Sequence, residues 1–257
     1  MNLTEFDFTI LLPALIAGVL VTATHVPLGV QVLARGIVFI DLAIAQIAGL
    51  GVICADWLGF EAHGWAVQVS ALTAALAGAL LLTWTEKHWP EVQEALIGVT
   101  FILAASGALI ILGSNPHGAE HLKELLIGQI LWVDPARLPW VAAAYALLLL
   151  VWFSFGDRIG RVGFYLLFAC AVTASVQLVG LYLVFTTLIV PALATRCFTR
   201  HRLAAAYALG VTGYGLGLVT SAMTDWPSGP AIVWVMSGLA VIVFAGSPRS
   251  AAPVGHN

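Results

Sequence analysis

Charged residues are so sparse in this chain that they divide it into long uncharged runs, at 8–34, 62–85, 95–116, 138–156, 162–195, 203–224 and 226–248. Most of these reach or exceed the roughly 20 apolar residues that a helix needs to cross a bilayer core about 30 Å thick. Only 9% of the 257 residues are Asp, Glu, Lys or Arg, against 61% hydrophobic, and the mean hydropathy is +1.00. Such a chain has too little polar surface to cover a water-facing globule, which excludes an ordinary soluble domain. In lipid the backbone polar groups must bond within their own segment, so each run is a helix candidate.

The opening MNLTEFDFT carries Glu5 and Asp7 but no basic residue, unlike the positively charged start of a cleavable signal, so the first run is expected to remain as the first span. Lys and Arg accumulate on the cytoplasmic side of membrane proteins. With Arg35 placed there and the spans alternating, Lys87, Arg158, Arg161, Arg196, Arg200, Arg202 and Arg249 fall on the same side, and only Lys123 and Arg137 lie outside. This asymmetry requires the run from Val162 to Thr195 to cross twice, or to enter and return. The run is short for two full helices, and Gly180 in VQLVG is placed to interrupt it near the outer face. Interrupted hydrophobic segments often line transport sites. The expectation is an all-α polytopic membrane protein of eight or nine transmembrane helices, with a short interrupted segment around 176–195, the N-terminus outside and the C-terminus inside. Residues 1–248 are expected to form a single transmembrane domain, and 249–257 a disordered cytoplasmic tail.

The outer surface is then acidic and histidine-bearing, and it includes HGAEH at 117–121. On a helix, His117, Glu120 and His121 would share one face, and imidazole with carboxylate suits zinc or manganese. A solvated loop with histidines at headgroup level is the competing reading. H-x-x-E-H also matches an inverted zinc-protease motif, but the third ligand and water-filled cleft that a protease needs are not evident nearby.

Within the spans, Asp41 in RGIVFIDLAIAQIAGLG is costly unless paired or facing a wet cavity. At about 1.5 Å per residue, His25 and Asp41 sit roughly 15 and 9 Å from the inner turn, close enough in depth to meet if their spans pack side by side. With Gln46 they could form a polar station for a cation. Equally, Asp41 could pair with Arg35 while His25 bonds a backbone carbonyl.

Other features have plainer readings. Cys54, Cys170 and Cys197 are far apart and read as buried thiols. Most tryptophans lie near span ends, as interfacial anchors do. Gly213 and Gly217 have the GxxxG spacing common in membrane helices, which does not by itself establish a dimer. A net charge of −3 without a basic cluster argues against nucleic acid as a partner.

The order of segments resembles the membrane permease subunit of ABC-type zinc and manganese importers. The resemblance runs through PLGVQVLARGIVFIDLAIAQIAGLG, EALIGVTFILAASGALIIL, LLIGQILWVDPARL, VQLVGLYLVFTTLIVPALATRCFTR and DWPSGPAIV. Its most distinctive elements are Gly180 with Pro191, Ala192, Ala194 and Arg196, and then Asp225 with Pro227, Gly229 and Pro230. It implies a permease of the bacterial plasma (inner) membrane that dimerises, binds a pair of cytoplasmic ATPase subunits and receives its ion from an extracytoplasmic metal-binding protein. No tightly bound cofactor is implied; a divalent zinc or manganese ion is the cargo. The chain has no GxxxxGK[ST] phosphate loop, so it is not expected to hydrolyse ATP itself.

Two departures from the family pattern stand out. Relatives carry G-D-x-x-x-H in the second span, whereas here Gln46 takes the histidine position and Asp41 lies one place before the aspartate, which turns it about 100° around the helix. His25 is therefore a candidate replacement ligand. Relatives also carry a longer cytoplasmic insertion where this chain has FGDRIGRVG at 155–163. Either Gly156 to Gly163, with Arg158 and Arg161, makes a reduced contact with the ATPase, or the other inner loops, EKHWPEVQEAL and TRCFTRHRL with Arg196 and Arg200, take over. The alternatives to an importer are a membrane zinc hydrolase acting through HGAEH, and a permease-like channel or scaffold not coupled to an ATPase.

Overall fold

The computed structural model describes residues 8–60, 64–112, 128, 130–155, 158 and 160–246. Among these there are nine helices, eight from the uncharged runs and α2 from the stretch that holds Asp41: α1 (Phe8–Arg35), α2 (Ile40–Trp57), α3 (Trp65–His88), α4 (Gln93–Leu112), α5 (Leu138–Phe155), α6 (Gly160–Val179), α7 (Leu181–Ala194), α8 (Arg202–Thr224) and α9 (Ser228–Ala245). Eight are long and apolar enough to cross a membrane, and α7, with 14 residues, is not. At about 1.5 Å per residue α7 covers only about 21 Å of a core about 30 Å thick.

The expected interruption falls at Gly180, whose φ of 85° no side chain adopts readily. This one residue separates α6 from α7 and lets the chain turn back after Val179. Gly128 packs against the backbone of Val179 and Gly180, so the segment leading into α5 closes over the break. Another positive-φ glycine, Gly36 (φ 71°), ends α1 and leads to α2.

Side-chain contacts place the basic helix ends together. Arg161 in the first turn of α6 pairs with Glu86 near the end of α3 at 3.6 Å. The guanidinium of Arg35, last in α1, lies 4.2 Å from the ring centroid of Phe164 on α6, and that of Arg196 lies 5.2 Å from Phe244 near the end of α9. This is the end that the positive-inside rule expects to face the cytoplasm.

Helix α2 packs along α3 and α4, and α3 along α6. Helix α1 packs along α7 and α8, and α9 covers α8 and α7. Helices α6 and α7 sit between these groups, touching both α1 and α2, whereas α1 and α2 are not packed along one another. In lipid, apolar surface gains little by leaving one hydrocarbon for another, so small residues and backbone approach dominate the contacts. Ser70 donates to the Gly51 carbonyl at 2.8 Å where α3 meets α2, and Gly78 of α3 leaves room for Ile47. The GxxxG pair is used within the chain: Gly213 faces Met236 and Gly217 faces Ile232, seating α8 on α9. Helix α5 is largely exposed, with only Leu138 and Tyr145 buried.

Candidate functional site

The interior holds polar groups that a lipid-facing helix would not bury without reason. His25 and Asp41 are both 0% exposed. Neither carboxylate oxygen of Asp41 has a hydrogen-bond partner, and neither has Nε2 of His25. Leaving such groups unpaired in an apolar interior costs free energy, which a passing cation would recover.

The ring of His25 is set by its own helix. Its Nδ1 lies 3.1 Å from the Val21 carbonyl and 2.9 Å from Thr24 Oγ1. A carbonyl only accepts, so the ring proton sits on Nδ1 and Nε2 presents its lone pair. This is the arrangement in which one ring nitrogen is held by the protein while the other can ligate a metal. The bond to a backbone carbonyl is therefore present, and it leaves Nε2 available.

Asp41 lies lower than simple counting placed it. Residues 36–39 form a turn rather than helix, so Asp41 is the second residue of α2, within its first turn. Residues spent in the turn do not add helical rise. At this end the unpaired N–H groups of the helix give a partial positive charge that favours a carboxylate. Two residues earlier, Phe39 stacks on Phe185 of α7 with centroids 6.5 Å apart, and its N–H is accepted by Glu94 of α4 at 3.3 Å. The alternative pairing of Asp41 with Arg35 is not formed, since Arg35 rests on Phe164.

The structure does not bring His25, Asp41 and Gln46 into one shell. His25 is in the body of α1, Asp41 at the start of α2, and α6 and α7 lie between those helices. Gln46 is five residues beyond Asp41, about 140° around the helix, and is half-buried. Among the described residues no group of three or more His, Cys, Asp or Glu is placed to hold a metal. His117, Glu120 and His121 lie outside the described residues.

The arginines expected to meet a partner lie at the basic end of the bundle. Arg158, Arg196 and Arg200 are exposed, and so is Arg161 despite its pairing with Glu86. Helix α5 ends at Phe155 and α6 begins at Gly160, which leaves residues 156–159 between them. Trp89 to Val92 are also exposed, as are Thr199, Arg200 and His201 after α7.

A set of buried hydroxyls was not anticipated from the sequence. Thr22, Thr24, Thr173, Ser175, Thr186 and Thr187 are all buried, and Oγ1 of Thr173 has no partner. Thr187 meets the Tyr214 hydroxyl at 2.9 Å, and Ser175 meets that of Tyr145. Sequence gives little signal for these, because Ser and Thr can bond their own helix on either face. Exposed Thr73 and Thr220 do so at 2.8 Å, as buried Thr22 does at 2.7 Å.

A polytopic helical bundle with a short interrupted helix at its centre and unpaired polar groups in its interior is the construction of a membrane transport protein. The family model of the ABC 3 transport family matches residues 7–159 and 158–247, and the chain belongs to that family. It is similar to the high-affinity zinc uptake system membrane protein ZnuB of Haemophilus influenzae, 25% identical over 248 residues that cover 88% of this chain and 93% of that one. It is also similar to the manganese transport system membrane protein MntC of Halalkalibacterium halodurans, 27% identical over 277 residues, covering 96% and 92%. Among solved structures, PsaBC from Streptococcus pneumoniae in complex with Fab shares the fold with a TM-score of 0.74 at 22% identity, over 96% of this chain and 94% of that one. As a member of this family the chain is a multi-span bacterial inner-membrane permease subunit rather than an enzyme, with ATP hydrolysis on a separate subunit. The hydrolase reading of HGAEH is accordingly not retained.

Proposed function

We propose that this chain is the membrane permease of an ATP-driven importer that carries a divalent transition-metal ion, zinc first and manganese next, into the cytoplasm. The observation that carries the reading is the pairing of two fully buried, unpartnered ligand groups, Nε2 of His25 and the carboxylate of Asp41, with a family fold built for transport. Imidazole and carboxylate together suit zinc and manganese. Relatives named for zinc and for manganese uptake agree with that choice and do not separate the two.

The ligands are offered singly and at different depths, which fits a cargo passing through better than one retained. On this reading His25 and Asp41 are successive points on the path, and the acidic, histidine-bearing outer loops with His117, Glu120 and His121 meet the ion or its delivering protein. The functional unit is a homodimer. ATPase subunits dock on the exposed cytoplasmic turns around Arg158, Arg161, Arg196 and Arg200, together with the turn at Trp89 to Val92, in place of a longer insertion between α5 and α6. Residues 1–248 act as one transmembrane unit.

The test is uptake into vesicles containing the permease with and without its ATPase subunits, with zinc, manganese and iron compared. ATP-dependent accumulation of zinc or manganese supports the proposal. Equal fluxes with and without the ATPase would instead identify an uncoupled channel.

A further inference from the structure

Helix α1 contains Pro13 and Pro27. Proline has no N–H, so Pro27 cannot bond the carbonyl four residues before it, that of Ala23. Inside a membrane such a carbonyl needs another donor. Here the donor comes from a different helix: the Tyr207 hydroxyl of α8 donates to the Ala23 carbonyl at 3.1 Å, across 184 positions of sequence.

The same contact lies at the level of His25. Gly18 of α1 packs on the ring of Tyr214, and Gly210 of α8 leaves room for Thr22. Four residues forward on α1 therefore correspond to four residues back on α8, as in an antiparallel pair. Three more in the same sense bring His25 opposite Tyr207. The groups that hold the His25 ring, the Val21 carbonyl and Thr24, lie within two residues of the Ala23 carbonyl that Pro27 leaves without its helical donor. Glycines at the two preceding contacts keep the helices close enough for a phenol to reach backbone.

We propose that Tyr207 is a positioning residue for the ion path: its bond to the Ala23 carbonyl holds the interrupted turn of α1 so that His25 keeps Nδ1 engaged and Nε2 open to a divalent cation. The proposal rests on the reading of His25 as an ion contact. Tyr207 touches no cargo itself and acts through the turn it secures. The interior proline leaves a gap in the helix that makes this turn depend on a neighbour, and the phenol supplies that dependence at the ligand's own level.

The test uses the permease with its ATPase subunits in proteoliposomes, with zinc ion as the probe, and compares Tyr207→Phe, Pro27→Ala and the two combined. Pro27→Ala returns an N–H to position 27, which can take the Ala23 carbonyl within α1. Tyr207→Phe is expected to raise the half-saturating zinc concentration about tenfold or more, with the maximal rate changed less than about twofold, and to lower the thermal midpoint in detergent. In the Pro27→Ala background the same substitution is expected to change neither the half-saturating concentration nor the thermal midpoint. An unchanged half-saturation in Tyr207→Phe, or an equal effect in both backgrounds, overturns the proposal. A fall in maximal rate and thermal midpoint with half-saturation unmoved would show a structural role only and also overturns it. His25→Ala tests the underlying reading separately: zinc uptake with normal half-saturation in that variant removes His25 from the path, while the thermal comparison still reports whether Tyr207 and Pro27 are coupled.

Discussion

Gly29 of α1 lies against the carbonyl of Leu188 on α7 so closely that a Cβ at position 29 would collide with that oxygen. Both partners are helix backbone, so neither can swing aside as a side chain could. Gly29→Ala is expected to destabilise the fold by at least about 2 kcal/mol, read as a loss of thermal stability in detergent. Gly215→Ala is the control, since nothing lies within 4 Å of a Cβ there; it should be neutral or stabilising by up to about 1 kcal/mol. Equal losses at the two sites would contradict the close approach of α1 and α7.

A Cβ at Gly217 would lie 2.5 Å from Cα of Ile232 within the same chain. Gly217→Ala should therefore weaken folding of the monomer by about 1–3 kcal/mol. Cross-linking of whatever folded protein remains should give the same dimer yield as the parent. Selective loss of the dimer with stability intact would place this glycine pair between subunits instead.

Asp41 is buried with both oxygens unpaired, so its charge costs stability when no cation is present. Asp41→Asn should leave the thermal midpoint unchanged or raise it in metal-free buffer, while metal uptake falls about tenfold or more. Full uptake by a well-folded Asn variant would remove Asp41 from the path.

Arg161 is 51% exposed and the Glu86 side chain 16%, so solvent screens the pair from one side and it contributes about 1 kcal/mol. Glu86→Gln should change stability little and leave co-purification of the ATPase intact. If Arg161 also meets the ATPase, Arg161→Ala should reduce co-purification where Glu86→Gln does not. The same loss in both variants would mean that the pair shapes the cytoplasmic end rather than contacting the partner.

Tyr145 is one of only two buried residues in α5, and its hydroxyl bonds Ser175 of α6. Tyr145→Phe and Ser175→Ala should each cost about 0.5–1.5 kcal/mol, and the double variant less than their sum. Thermal unfolding of the four proteins checks this, and strict additivity would show that the bond is not shared.

Much of the architecture was legible because it depends on local properties. The break at Gly180 could be placed because a run too short for two crossings contains a glycine, and the structure gives that residue the positive φ a turn of this kind needs. The contact of Arg161 with Glu86 brings the start of α6 to the end of α3, as the placing of Arg161 and Lys87 on one side requires. Asp41 was misplaced because counting rise from Arg35 ignores the turn at 36–39. The gap left by Pro27 at Ala23 can be read from spacing alone, whereas nothing in the spacing identifies Tyr207 as the group that fills it.

The division follows from the solvent. A span must be apolar for about 20 residues and must satisfy its own backbone, and basic residues stay on one side, so the number, limits and direction of the helices are written along the chain. Which helices meet is not, because lipid and protein interior are both apolar and the faces of a span look alike in composition. Packing in three dimensions places α6 and α7 between α1 and α2, separates His25 from Asp41, leaves their ligand atoms without partners, and sets a phenol of α8 against the broken turn of α1.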